Sequence, residues 1–115
     1  EALRKIGFSF KSKEAVFNFA RMSKEAGMDG VVASPEEIPD IKFGVKGDFM
    51  VVTPGVRPLT SQKDDHKRSA TPAKAVGAGA DFIVVGRPIR DADDPAGAAD
   101  QICAEIKDGL RERNS

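Results

Sequence analysis

Two arginines in this chain stand where a phosphate could be gripped. Arg57 follows the apolar run Phe49-Met50-Val51-Val52 through Thr53-Pro54-Gly55-Val56, and Arg87 follows Phe82-Ile83-Val84-Val85 through Gly86. Each run is short, almost wholly apolar and stops near a glycine. A glycine lets a ligand come close to the backbone. A guanidinium offers a planar fork of donors that matches a phosphate. Three further residues have useful chemistry near such turns. Ser34 carries a hydroxyl that donates or accepts. His66 is the single histidine, a residue type that can change charge near neutral pH. Pro54 adds an apolar surface beside Gly55. One histidine and one cysteine give no metal-ligand spacing, so no metal is expected.

These residues need elements to position them. Ser12 is placed to cap a helix over Lys13–Ala26, with Val16, Phe19, Ala20 and Ser23 on one face and Gly27 as its stop. A strand is expected from Gly30 to Ala33. Ser34 then caps a short helix whose first position is Pro35, ending near Phe43-Gly44. The second strand runs from Phe49 to Val52 and leads into a polar stretch from Arg57 to Ser69. At that length a loop without regular structure is often functional. Thr71-Pro72 restarts a helix that stops around Gly77–Gly79. The third strand is expected over Phe82–Val85, followed by a loop from Gly86 to Asp93. Asp94-Pro95 opens a last helix to about Arg113, with Ala99, Ile102, Cys103, Ile106 and Leu110 as its apolar face and Cys103 buried.

The order is α-β-α-β-α-β-α, which means an α/β fold with parallel strands. Apolar runs of this kind suit strands buried on both faces. A glycine and an arginine after each of two consecutive strands match the phosphate grip after the last two strands of a (β/α)8 TIM barrel. Such a barrel takes about 250 residues, against 115 here. Three parallel strands would also leave two open edges. The expectation is that residues 1–115 are the C-terminal part of one barrel domain.

Composition narrows the partners. Lys plus Arg and Asp plus Glu number 18 each, so no global nucleic-acid footprint is present. Trp and Tyr are absent, which leaves few platforms for stacking bases. No apolar run reaches membrane-spanning length, and Glu1-Ala2-Leu3-Arg4-Lys5 has no signal-like apolar region. A lone cysteine fits a reducing, cytoplasmic setting.

The combined motifs resemble bacterial orotidine 5'-phosphate decarboxylase. They are Thr53-Pro54-Gly55-Val56-Arg57-Pro58, Asp65-His66-Lys67-Arg68, Thr71-Pro72 and Ala78-Gly79-Ala80-Asp81-Phe82-Ile83-Val84-Val85-Gly86-Arg87-Pro88-Ile89. Ala20 to Pro35 is similar to the family as well. The resemblance implies strands six to eight of the barrel and conversion of orotidine 5'-phosphate to UMP and CO2 without a cofactor, in pyrimidine biosynthesis. It implies a homodimer, or assembly with an N-terminal half. It makes Arg57, Gly86 and Arg87 the phosphate site, Ser34 a contact to the pyrimidine edge and Pro54 a wall beside the base. Ser34 also fits a helix cap, and Pro54 also fits a turn former. His66 stands where the family has glutamine, so it either replaces that contact or is solvated. Lys63, Asp64, Asp65, Lys67 and Arg68 read as the charges of a solvated lid.

The family's catalytic Asp-x-Lys-x-x-Asp motif is not in this chain. Asp40-Ile41-Lys42 matches its start, but Val45 stands where the second Asp belongs, so no catalytic residue is expected here and the chain by itself is expected to be inactive. Two alternatives stay open. One is another phosphate-binding barrel decarboxylase or synthase. The other is a non-catalytic half-barrel that binds phosphate or a partner chain.

Overall fold

A computed structural model of the chain describes residues 12–59 and 70–114. Helix α1, Ser12–Glu25, comes first. It ends as its glycine demands. Gly27 has φ +96°, its N–H donates to Lys24 O, and the Met28 N–H donates to Ser23 O. This paired closure satisfies carbonyls that the helix end leaves open. Strand β1, Gly30–Val32, follows. A 3-10 turn, Pro35–Glu37, leads into α2, Ile38–Gly44. The Glu37 carboxylate accepts the Ser34 N–H at 3.2 Å, so one orphan donor of the turn is satisfied locally.

Strand β2 is Met50–Thr53 and β3 is Phe82–Ile83. Between them lies α3, Pro72–Ala78, where the Thr71 hydroxyl accepts the Lys74 N–H at 3.2 Å. Gly79, at φ +120°, closes α3 as Gly27 closes α1. The expected loop after β3 contains one helical turn, α4, Arg87–Arg90. The final helix α5 is Pro95–Arg113, with the Asp94 carboxylate accepting the Gly97 N–H at 3.1 Å.

The sheet order is β1-β2-β3 and both pairings are parallel. Successive side chains of a strand point to opposite faces. Val31, Val51, Thr53 and Ile83 share the helix-covered face, over a core that includes Ala20, Ile38, Ile41, Val56 and Ala75. Thr53 is fully buried there, and its hydroxyl has no hydrogen-bond partner among the described residues. The other face differs from the expectation of burial on both sides. Val32, Met50, Phe82 and Val84 are 70%, 43%, 58% and 50% exposed. The register sets Val32, Val52 and Phe82 side by side. Nothing among the described residues packs over this apolar row.

Two contacts close the end where the strands begin. Lys42 Nζ donates to Phe49 O at 3.0 Å and to Asp81 Oδ2 at 2.6 Å, and the same carboxylate oxygen accepts the Val51 N–H at 2.9 Å. Arg113 Nη1 donates to Val76 O and Ala80 O, tying α5 to the end of α3. The two helices pack closely at Gly109, where a Cβ would lie 2.6 Å from Ala73 O. That close, narrow contact also corrects one expectation. Ile102 and Gly109 are buried, but Cys103 is exposed. One helical step of about 100° carries it off the contact stripe. No helix among the described residues is long and apolar enough to cross a membrane.

Candidate anion site

The cleft forms where β2 and β3 end. After Thr53 the chain turns through Pro54 and Gly55, the latter at φ +71°, a conformation that favours glycine. Val56 is buried and forms a parallel bridge with Ala70. The Arg57 N–H donates to Ala70 O at 3.0 Å. From the neighbouring strand, the Val84 N–H donates to Thr53 O at 2.9 Å, which sets the two strand ends side by side. The Ile89 and Arg90 N–H groups both donate to Gly86 O, which folds α4 back at the rim.

The result is a cleft of about 200 Å³, lined by Gly55, Val56, Arg57, Val84, Gly86, Arg87 and Pro88. Arg57, Gly86 and Arg87, singled out in the sequence, therefore meet in one place. A Cβ at Gly86 would meet no atom within 4 Å, and its φ is −105°. Neither crowding nor a left-handed backbone calls for glycine there. Open backbone facing the cleft is what a glycine adds. Arg90, on the same turn, engages Asp91 through two bonds of 2.9 and 3.2 Å. That hydrogen bond holds the Asp91 carboxyl below its ordinary range, with desolvation opposing it and the charges of Arg90 and Arg87 adding to it. Asp91, the residue that follows α4, is thus engaged by Arg90. Two guanidiniums beside open backbone make the cleft suited to a dianion.

The remaining sequence candidates sit elsewhere. Ser34 follows β1 at the same end of the sheet, as the cap of its 3-10 turn, and does not line the cleft. Pro54 is exposed on the turn and does not line it either. His66 and the charged residues 63–68 lie outside the described residues. Lys42 is engaged at the opposite end of the strands, which removes Asp40-Ile41-Lys42 from this site. No group of three or more potential metal ligands exists among the described residues. A second groove, beside the edge of β1, is lined by Val16, Phe19, Val32 and Ile41 among others and is mostly apolar. Sequence reasoning missed the bridge from Val56 to Ala70 and the bond from the Leu59 N–H to Glu105. Both are long-range in the chain, and no local signal marks them.

The chain is thus an α/β protein with a parallel sheet and an arginine-lined cleft at its strand ends. Residues 1–102 match the Orotidine 5'-phosphate decarboxylase / HUMPS family, and the chain belongs to that family. It is 52% identical over 109 residues to orotidine 5'-phosphate decarboxylase of Geobacter sulfurreducens, covering 95% of this chain and 46% of that protein. The same enzyme of Geotalea daltonii is 50% identical over the same shares. Among solved structures, orotidine 5'-phosphate decarboxylase from Lactobacillus acidophilus superposes with a TM-score of 0.74 at 37% identity, covering 91% of this chain and 42% of that one. The chain therefore spans about half the length of the relatives it matches.

Proposed function

We propose that the chain is the C-terminal half of a (β/α)8 barrel, with β1, β2 and β3 as strands six, seven and eight. The bare apolar face of the sheet would be the barrel interior, and the groove beside β1 would receive the preceding strand. In the complete protein the function would be decarboxylation of orotidine 5'-phosphate to UMP. The observation that carries this reading is the convergence of Arg57, Gly86 and Arg87 on one cleft at the strand ends.

In that role Arg57 and Arg87 hold the 5'-phosphate of substrate and product, and the backbone at Gly86 faces it. The chemistry falls to the half of the protein that this chain lacks. Phosphate contacts far from the reacting carbon serve the reaction when their binding energy is realised in the transition state. Ser34, at the neighbouring strand end, would contact the pyrimidine edge. Pro54 walls the base, and His66 takes the place of the family's glutamine.

The test is UMP affinity in the complete protein. Arg57→Ala is expected to weaken UMP binding about 100-fold, the scale of a lost charge-assisted contact to a dianion. An unchanged dissociation constant would sink the phosphate assignment.

A further inference from the structure

The segment carrying Arg57 is pinned on both sides, and one of the pins comes from a distant helix. Before Arg57, Val56 bridges Ala70, and the Arg57 N–H itself donates to Ala70 O at 3.0 Å. After it, Pro58 is buried. The Leu59 N–H then donates to Glu105 Oε1 on α5 at 3.3 Å, across 46 residues of chain. Glu105 is half-buried, and Gln101 Nε2 donates to its other carboxylate oxygen at 3.4 Å, one helical turn away. Neither Glu105 nor Gln101 lines the cleft.

We infer that Glu105 is a positioning residue for the phosphate arginine, acting through the Leu59 N–H. The inference rests on the assignment of Arg57 to phosphate. Its physical basis is the shortness of the connection. Peptide planes are rigid, and the proline ring fixes φ at Pro58. Between the held nitrogen of Leu59 and the α-carbon of Arg57, only ψ of Pro58 and ψ of Arg57 remain free to turn. The bond from Arg57 N–H to Ala70 O restrains the other side of the same residue. A carboxylate accepting a backbone N–H is a charge-assisted bond. Holding the arginine backbone before ligand arrives reduces the ordering cost of binding. The role depends on reach. The negative charge of Glu105 near an anion site would by itself oppose binding.

The experiment is a UMP titration of the complete protein in five forms: wild type, Arg57→Ala, Glu105→Ala, Glu105→Gln and Glu105→Asp. Glu105→Ala is expected to weaken UMP about three- to tenfold, the scale of one net hydrogen bond, with the ligand-free melting temperature nearly unchanged. Glu105→Gln keeps an acceptor oxygen at the same reach and is expected to retain most of the affinity. Glu105→Asp keeps the charge but is one methylene short, and is expected to behave like Glu105→Ala. In an Arg57→Ala background, Glu105→Ala is expected to cost nothing further, since the two residues act as one unit. Tighter binding in Glu105→Gln and Glu105→Ala alike would make the residue a plain charge and overturn the proposal. So would an equal loss with and without Arg57. If Arg57→Ala leaves UMP binding intact, the phosphate assignment itself fails, and the proposal falls with it. Should Glu105→Ala fail to fold, Glu105→Gln near wild type with Glu105→Asp weakened supports the proposal, and Glu105→Gln tighter than wild type with Glu105→Asp unchanged overturns it.

Discussion

The two ends of the sheet use similar side chains for opposite purposes. Where the strands begin, three charges hold the fold together: Lys42 joins the start of β2 to Asp81, Asp81 also takes the Val51 N–H, and Arg113 covers the carbonyls that close α3. Where the strands end, glycines open the backbone and Arg57 and Arg87 line a cleft. In barrel folds the end after the strands hosts chemistry and the end before them supports stability. Substitutions at the first end should move unfolding and spare ligand, and substitutions at the second should do the reverse.

The widest gap should appear between two glycines. Gly109→Ala places a methyl against the Ala73 backbone, which is expected to cost about 2–3 kcal/mol of stability, as overpacking does. Urea unfolding of the complete protein measures it, and UMP affinity should stay within twofold of wild type by the same logic. Gly86→Ala is its mirror. Its methyl enters open space in the cleft, so unfolding should be unaltered while UMP binding falls about tenfold, or roughly 1.4 kcal/mol. A Gly86 variant that unfolds early but binds normally would erase the distinction between the two ends.

Asp81 sharpens the comparison through pH. Desolvation pushes its carboxyl up, but the Lys42 hydrogen bond, the Val51 N–H and the charges of Lys42 and Arg113 outweigh it and hold the group below 3.8. A lowered folded value means a stabilising contribution that is complete above the unfolded pKa and fades as pH falls through the folded one. Asp81→Asn should therefore lose about 1 kcal/mol near neutrality. Its unfolding midpoint should converge on wild type in acid below 3.8. A constant gap down to the most acidic conditions would mean that packing, not charge, is what Asp81 supplies. The smallest effect is expected at Thr53, whose buried hydroxyl lacks a partner among the described residues. Thr53→Val should raise stability by up to about 1 kcal/mol, because the valine methyl needs no hydrogen bond.

Local chemistry was legible in the sequence, and distant chemistry was not. Thr71-Pro72, Asp94-Pro95, Gly27 and Gly79 mark helix ends through their own side chain or their own φ, and each falls where it was expected. The two arginine turns were legible for the same reason. The third strand was read two residues too long. Only Phe82 and Ile83 stand in register with β2, the Val84 N–H adding a last bond to Thr53 O, and among the described residues β3 is an outer strand with no second neighbour to extend it. The turn of helix at Arg87–Arg90 was hidden by Gly86 and Pro88, which read as loop. Cys103 was assigned to an apolar stripe that the close approach at Gly109 makes narrower than the sequence pattern. The contact of Glu105 with Leu59 has no sequence signature, because a glutamate on a polar helix face looks solvated until the fold brings a backbone donor to it.

The uncovered row of Val32, Met50, Phe82 and Val84 has a consequence for how this polypeptide is made. A parallel sheet with a greasy face and, among the described residues, two open edges is a sticky object in a crowded cell. Synthesised alone, it should draw chaperones and collect in inclusion bodies. Synthesised beside strands that can roof that face, it should stay dispersed.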